Sequence, residues 1–197
     1  MSTILNTLSD KQVSALIQTG QVGVIPTDTV YGLVTAASNK QAVAKLYALK
    51  SREHKPGTIV AANIEQFITL GFKTRYLKAV EGYWPNPVSV IIPAEPGMEY
   101  LHLGLFSLAL RVPDYQPLTE LLLHTGPLLT TSANHPGEKP AENVSEAENY
   151  FGDKVDFYVD GGDLSGRMPS TVMRVIDDEI EVIREGAVKI NANGEIE

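Results

Sequence analysis

The sequence contains no cysteine, which excludes disulfide bonds, thiolate metal sites and a cysteine nucleophile. Its four histidines, His54, His102, His124 and His135, lack metal-ligand spacing, so no protein-bound metal site is predicted. No apolar run approaches the roughly 18 residues that span a membrane. The first ten residues show no basic region followed by an apolar stretch, so no signal peptide is predicted. Together these absences predict a cytoplasmic protein with no membrane contact.

Basic residues are also scarce, since 16 lysines and arginines stand against 24 acidic residues and the net charge is −8. This balance disfavours a protein whose main task is nonspecific binding of a phosphate backbone, so any binding of tRNA is expected to be weak. The P-loop, the dinucleotide-binding glycine motif and the nucleophile elbow of serine hydrolases are all missing. Three of the few basic residues, Lys50, Arg52 and Lys55, lie within six positions. That cluster is either an anion site or the solvated end of a helix.

What is present is an alternation of strand-like and helix-like segments, with hydrophobic residues making up 43% of the chain. Apolar and β-branched runs predict strands at 21–26, 58–62, 88–92, 107–112, 128–131 and 155–159. Helical spacing and capping residues predict helices at 10–19, 40–51, 63–70, 74–83, 117–124 and 143–152. A closing hairpin is predicted at 170–176 and 179–184, with an acidic turn at 177–178. The alternation favours an α/β domain with a mixed sheet.

Polar side chains stand at the ends of several predicted strands, where open α/β sheets bind ligands. These are Thr27, Asp28, Thr29 and Tyr31 after one strand, Ser132 and Asn134 after another, and Ser170 at the start of a third. They are interpreted either as ordinary turns, in which hydroxyl and amide groups bond to their own backbone, or as ligand-binding groups. The residues alone leave both interpretations open.

Two basic residues lie on otherwise apolar elements. Arg111 interrupts an alternating apolar strand, where a buried guanidinium is costly unless an anion pairs with it. That anion is either an internal acid or a substrate carboxylate held bidentately. Lys50 shares a helix stripe with apolar residues, so it either extends to solvent or points into a cleft. Since a cleft lysine contributes little packing, Lys50→Ala is expected to lower turnover far more than folding stability.

Six short motifs, each weak alone, follow one another in a characteristic order and spacing. They are Pro26–Leu33, Lys50-x-Arg52, Trp84–Val88, Leu110–Pro113, Thr131–Asn134 and Pro169–Val172. In combination they resemble the YrdC/Sua5 family, the threonylcarbamoyl-AMP synthases of tRNA modification, from about residue 10 to residue 188. Two positions depart from the family pattern: Glu53 stands where many members have proline, and Ala61 where some have histidine.

The resemblance implies an α/β fold with an open, twisted mixed sheet and flanking helices around a concave cavity. It implies one catalytic domain over residues 1–188, followed by a flexible tail at 189–197. The implied reaction condenses L-threonine, bicarbonate and ATP into threonylcarbamoyl-AMP and pyrophosphate, for the modification of adenosine 37 in tRNA. Mg²⁺ would accompany ATP, and the product would pass to a tRNA threonylcarbamoyl-transferase complex.

Residue roles are carried over by motif. Lys50 and Arg52 would be catalytic, because cations there stabilise charge at the attacked phosphorus. The residues implied for ATP binding are Lys50, Arg52, Lys55, Ser132, Asn134 and Arg184. Those implied for threonine binding are Thr27, Tyr31, Arg111, Thr131 and Ser170.

Two other functions remain open. A non-catalytic RNA-binding module of the same fold would bind RNA with a steep salt dependence and would not turn over nucleotide. A carbamoyl-transferring relative would use a different acceptor, which replacement of threonine by serine, or the use of carbamoyl phosphate, would reveal.

Overall fold

A computed structural model describes residues 2–51, 55–176, 179–191 and 193–197. Among these residues ten strands form one sheet: β1 (Thr3–Leu5), β2 (Gly23–Ile25), β3 (Gly32–Ala36), β4 (Thr58–Val60), β5 (Val88–Pro93), β6 (Ser107–Arg111), β7 (Leu128–Ser132), β8 (Phe157–Val159), β9 (Thr171–Ile176) and β10 (Glu179–Arg184). The strand order is β1-β8-β2-β3-β7-β4-β6-β5-β9-β10. The pairs β1/β8, β8/β2, β4/β6 and β5/β9 are parallel, and the remaining neighbours are antiparallel. The sheet is therefore mixed and open, as predicted.

Seven α-helices flank the sheet in the described part of the chain. They are α1 (Lys11–Gln18), α2 (Lys40–Leu49), α3 (Ile64–Leu70), α4 (Thr74–Val80), α5 (Glu99–His102), α6 (Gln116–Thr125) and α7 (Val144–Phe151). Capping explains where several begin, since Asn39, Asn63 and Asn143 each accept a hydrogen bond from a backbone N–H in the first turn of the helix that follows. Among the residues described, no helix has the length and apolar character needed to cross a membrane.

Three elements were not predicted from the sequence: β1, β3 and α5. The first and last are only three and four residues long, too short for a periodic pattern. β3 begins with Gly32, a poor strand former, directly after a polar turn. The glycine is nevertheless required by packing, because a Cβ at position 32 would lie 2.7 Å from Thr130 Oγ1 of the neighbouring strand.

Side-chain alternation divides the sheet between two hydrophobic cores. On one face, Leu33 and Leu110 join the larger core, which α2, α3, α4, α5 and α7 cover. On the other face, Val34 and Val60 join a smaller core beneath α1 and α6. Further along the strands of this second face, the same alternation exposes Thr58 and other small or polar residues to a cavity. The fold thus leaves one part of one sheet face free for a ligand.

The chain after β10 lies against the rest of the molecule. Ile190 pairs with Ile196 in an antiparallel bridge, and the Tyr83 hydroxyl donates to the Gly194 carbonyl at 2.9 Å. The flexibility of this segment and a domain boundary at residue 188 remain predictions. The predicted acidic turn at 177–178 lies outside the described residues.

Candidate active site

A cavity of about 300 Å³ opens over the uncovered part of the sheet, at the lower end of the range of small-molecule sites. One wall is apolar and includes Ile91, Leu105, Ala109 and Val172. The remainder is polar, and seven of the residues predicted for the site line it: Thr27, Tyr31, Arg111, Thr131, Ser132, Ser170 and Arg184. Side chains from distant segments therefore converge on one cavity.

The turn at residues 27–31 forms one rim of this cavity. The Thr27 hydroxyl donates to the Val30 carbonyl at 2.7 Å and accepts from the Thr29 N–H at 3.1 Å. The Tyr31 hydroxyl donates to the Gly162 carbonyl at 2.8 Å, and burial raises the pKa of Tyr31. The turn interpretation is confirmed for Thr27, whose hydroxyl bonds within its own turn. Ligand binding by Thr27 and Tyr31, which both line the cavity, stays a prediction.

Lys50 is the C-cap of α2 and is buried, with only 2% of its surface exposed. Its ammonium donates to the Ser132 carbonyl at 2.9 Å, to the Asn134 side-chain oxygen at 3.0 Å and to the Asn134 backbone carbonyl. The expectation that Lys50 contributes little packing is therefore wrong, because the sequence pattern could not show that carbonyl oxygens would surround the ammonium. Its predicted contact with phosphate remains a prediction.

The Ser132–Asn134 loop depends on this lysine and on its own side chains. The Ser132 hydroxyl donates to Asn134 Oδ1 at 2.6 Å, and Asn134 Nδ2 donates to the Glu138 carbonyl at 2.6 Å. Ser132 lines the cavity, whereas Asn134 lies just outside its lining. Lys55 is exposed and outside that lining, and Arg52 falls outside the described residues.

Arg111 lines the cavity and pairs with Asp28, which the sequence placed among the strand-end polar residues without indicating its partner. Asp28 Oδ1 lies 3.1 Å from Arg111 Nη2, and both side chains are buried. Burial raises the pKa of Asp28 and lowers the pKa of Arg111, because desolvation outweighs the attraction between the two charges. Of the two predicted partners of Arg111, the internal acid is present. Because Arg111 also lines the cavity, this ion pair leaves room for a contact with a substrate carboxylate.

Arg184 approaches the cavity from β10. Its Nη2 donates to the Ser170 carbonyl at 2.7 Å, and the Ser170 and Ser89 hydroxyls lie 2.9 Å apart. Partial desolvation and the charge of Arg111 both lower the pKa of Arg184, although much of this side chain stays exposed. Gly186 lets the chain pass this close, because a Cβ there would come within 2.3 Å of the Pro169 carbonyl. Ser89 was not predicted as a site residue. Its position in a strand of mostly β-branched residues could have indicated it, because a buried hydroxyl needs a hydrogen-bond partner.

The chemistry of this site suits an anionic ligand with hydroxyl or amide groups. Two arginines and several hydroxyl donors face the cavity, and its described lining contains no acidic side chain. Within the described ranges, no three His, Asp or Glu side chains are grouped so that they could hold a metal ion. An open mixed sheet with such a cavity defines an α/β protein whose pocket has the cationic and hydroxyl groups that suit a small anionic ligand.

Comparison with known proteins identifies the family. The family model for Sua5, YciO and YrdC, described as "Telomere recombination", matches residues 15–186. The threonylcarbamoyl-AMP synthase of Pseudomonas aeruginosa strain UCBPP-PA14 is 36% identical over 163 residues, which cover 81% of this chain and 88% of that protein. The chain belongs to the Sua5/YciO/YrdC family.

Solved structures show the same fold. The P. abyssi Sua5 complexed with L-threonine superposes with a TM-score of 0.85 at 23% identity, over 96% of this chain and 59% of that one. The chain thus spans less than two thirds of that Sua5 protein. E. coli YciO superposes with a TM-score of 0.81 at 22% identity, over 94% of this chain and 96% of that one. The YrdC-like fold predicted from the motifs is confirmed.

Proposed function

We propose that this protein is an L-threonylcarbamoyladenylate synthase, which condenses L-threonine, bicarbonate and ATP into threonylcarbamoyl-AMP and pyrophosphate. The observation that carries the proposal is the convergence of Arg111, Arg184 and several hydroxyl groups in one cavity. Support comes from the relative of that name, which is 36% identical over most of both chains. That a protein of the same fold was solved with L-threonine is consistent with an amino acid in the cavity.

The chemistry requires two new bonds. The threonine nitrogen bonds to the bicarbonate carbon with loss of water, and a carbamate oxygen then bonds to the α-phosphorus as pyrophosphate leaves. The second step makes the protein a nucleotidyltransferase. Holding three reactants together removes a large entropic barrier, so positioning is expected to account for much of the rate. The arginines and hydroxyls supply electrostatic stabilisation as charge develops on phosphate oxygens.

Each predicted residue has a proposed place in this reaction. Arg111 holds the threonine carboxylate, with Thr27, Tyr31, Thr131 and Ser170 around the amino acid. Ser132, Asn134, Arg184 and Lys55 serve the nucleotide, as does Arg52, and Lys50 supports them through the Ser132–Asn134 loop. Mg²⁺ enters as a counterion of ATP. The product then passes to a tRNA threonylcarbamoyl-transferase in the cytoplasm.

Pyrophosphate release tests this proposal. Purified protein supplied with MgATP, L-threonine and bicarbonate is expected to release pyrophosphate, and omission of any one substrate should return the signal to the enzyme-free background. Release that persists without bicarbonate would contradict the proposal. Tight, steeply salt-dependent RNA binding without any release would instead favour the RNA-binding module. Equal release with serine or with carbamoyl phosphate would favour the carbamoyl-transferring relative.

A further inference from the structure

The ion pair of Asp28 and Arg111 is asymmetric with respect to the cavity. Arg111 lines the cavity, whereas Asp28 is not part of the lining and its side chain is only 3% exposed. The guanidinium therefore lies between the cavity and the carboxylate that pairs with it. Asp28 is placed to act on Arg111 and not to touch the substrate itself.

The pair leaves hydrogen-bonding capacity unused. Arg111 Nε and both carboxylate oxygens of Asp28 are buried without a hydrogen-bond partner in the described part of the chain. The 3.1 Å contact between Oδ1 and Nη2 is thus an ion pair without the alignment of a hydrogen bond. Buried polar groups in folded proteins nearly always find a partner. Because Arg111 Nε is itself enclosed, the guanidinium can reach a ligand in the cavity only through its terminal nitrogens.

The backbone on both sides of Asp28 is held in place. The Thr27 hydroxyl accepts from the Thr29 N–H and donates to the Val30 carbonyl, and it lies 3.1 Å from the Thr29 hydroxyl. Both threonines are 3% exposed. Asp28 is therefore a fixed charge on a closed turn, which is what a group that orients another side chain requires.

The negative charge of Asp28 also acts on the repulsion between two neighbouring arginines. Arg184 is close enough for the charge of Arg111 to lower its pKa, so the two guanidinium groups repel each other. Asp28 offsets the charge of Arg111 and so reduces this repulsion, which allows both arginines to line one cavity.

We propose that Asp28 is the positioning residue for Arg111: it holds the guanidinium through Nη2 and so keeps the terminal nitrogens turned toward the carboxylate of the amino-acid substrate. This inference rests on the proposed function, because that function supplies the carboxylate. It assigns a role to an acidic residue that lies outside the cavity lining.

Two substitutions separate charge from position. Asp28→Ala removes both the carboxylate and its bulk, whereas Asp28→Asn keeps the size and an acceptor oxygen without the charge. Glu181→Ala is the matched control, since Glu181 pairs with Arg174 at 2.6 Å on the exposed hairpin, away from the cavity. Kinetic constants for threonine and for ATP are measured by pyrophosphate release, and threonine binding is measured by calorimetry.

Asp28→Ala is expected to raise KM and Kd for threonine by roughly tenfold or more, while KM for ATP changes by less than about threefold. Asp28→Asn should show a smaller rise in the same constants, and Glu181→Ala should show none. If Asp28→Ala does not fold, the asparagine variant decides the question alone. A purely structural role would lower the melting temperature without separating the two KM values.

Two failures are distinguishable by this design. A wild-type protein that binds threonine but releases no pyrophosphate would overturn the proposed function. Equal threonine Kd values for wild type and the folded Asp28 variants would overturn the role of Asp28 alone. A tighter threonine Kd in Asp28→Asn would also overturn it, since the carboxylate would then be a competitor for Arg111.

Discussion

Lys50→Met is expected to lose both stability and activity. The substitution keeps an unbranched chain of similar length but removes the donor to three oxygens of the Ser132–Asn134 loop. Each buried group left without its partner costs about 1–3 kcal/mol. A total loss of about 3 kcal/mol lowers the melting temperature by roughly 6–12 °C in a chain of this size. Ser132, which lines the cavity, belongs to the loop that this substitution releases. Pyrophosphate release should therefore fall by roughly a hundredfold or more.

Lys45→Met is the matched control for this experiment. Lys45 lies on the same helix, and its ammonium pairs with Asp156 at 2.7 Å on the surface. Exposed ion pairs contribute about 0–1 kcal/mol, so the control should melt and turn over almost like the wild type. Thermal denaturation and pyrophosphate release of both variants are measured side by side. A Lys50→Met protein that melts with the wild type but is inactive would show that the ammonium acts mainly on substrate.

Arg111→Lys is expected to weaken threonine binding selectively. Lysine keeps the positive charge beside Asp28 but cannot present two parallel donors to a carboxylate. A hydrogen bond to a charged group contributes about 1.5–3 kcal/mol, which corresponds to a rise in threonine KM of roughly 10–100-fold. The fold should survive, because the buried carboxylate retains a cation. The measurement is KM for threonine at saturating ATP and bicarbonate.

Arg174→Lys controls for the exchange of side chains itself, since Arg174 pairs with Glu181 on the exposed hairpin. It should leave KM for threonine unchanged. An Arg111→Lys variant with normal KM for threonine and raised KM for ATP would place the guanidinium at phosphate and contradict the assignment.

Much of the fold follows from local sequence. The asparagine caps of α2, α3 and α7 and the alternating apolar strands predicted most elements within a few residues. β3 was missed because Gly32 is favoured by the packing of Thr130, a contact between strands about a hundred residues apart. Such long-range packing leaves no trace in a local pattern.

Several residues of the site could be predicted from the sequence, but the contacts between them could not. The motifs named Thr27, Arg111, Ser132 and Ser170, and all four line one cavity. The sequence could not show that Asp28 meets Arg111, since a carboxylate in a Thr-Asp-Thr turn looks like an ordinary turn residue. It also could not show that Lys50 is enclosed. Helical periodicity predicts which residues share a face of the helix, but it does not predict which other parts of the chain pack against that face.

The central claim is that this cavity joins threonine to AMP through the carbon of bicarbonate. The most direct measurement is mass spectrometry of the nucleotide product formed from ATP, L-threonine and ¹³C-labelled bicarbonate. The expected result is threonylcarbamoyl-AMP that carries the ¹³C label, with pyrophosphate as the other product. A threonine–AMP adduct without the label, or AMP formed with no adduct at all, would contradict the claim.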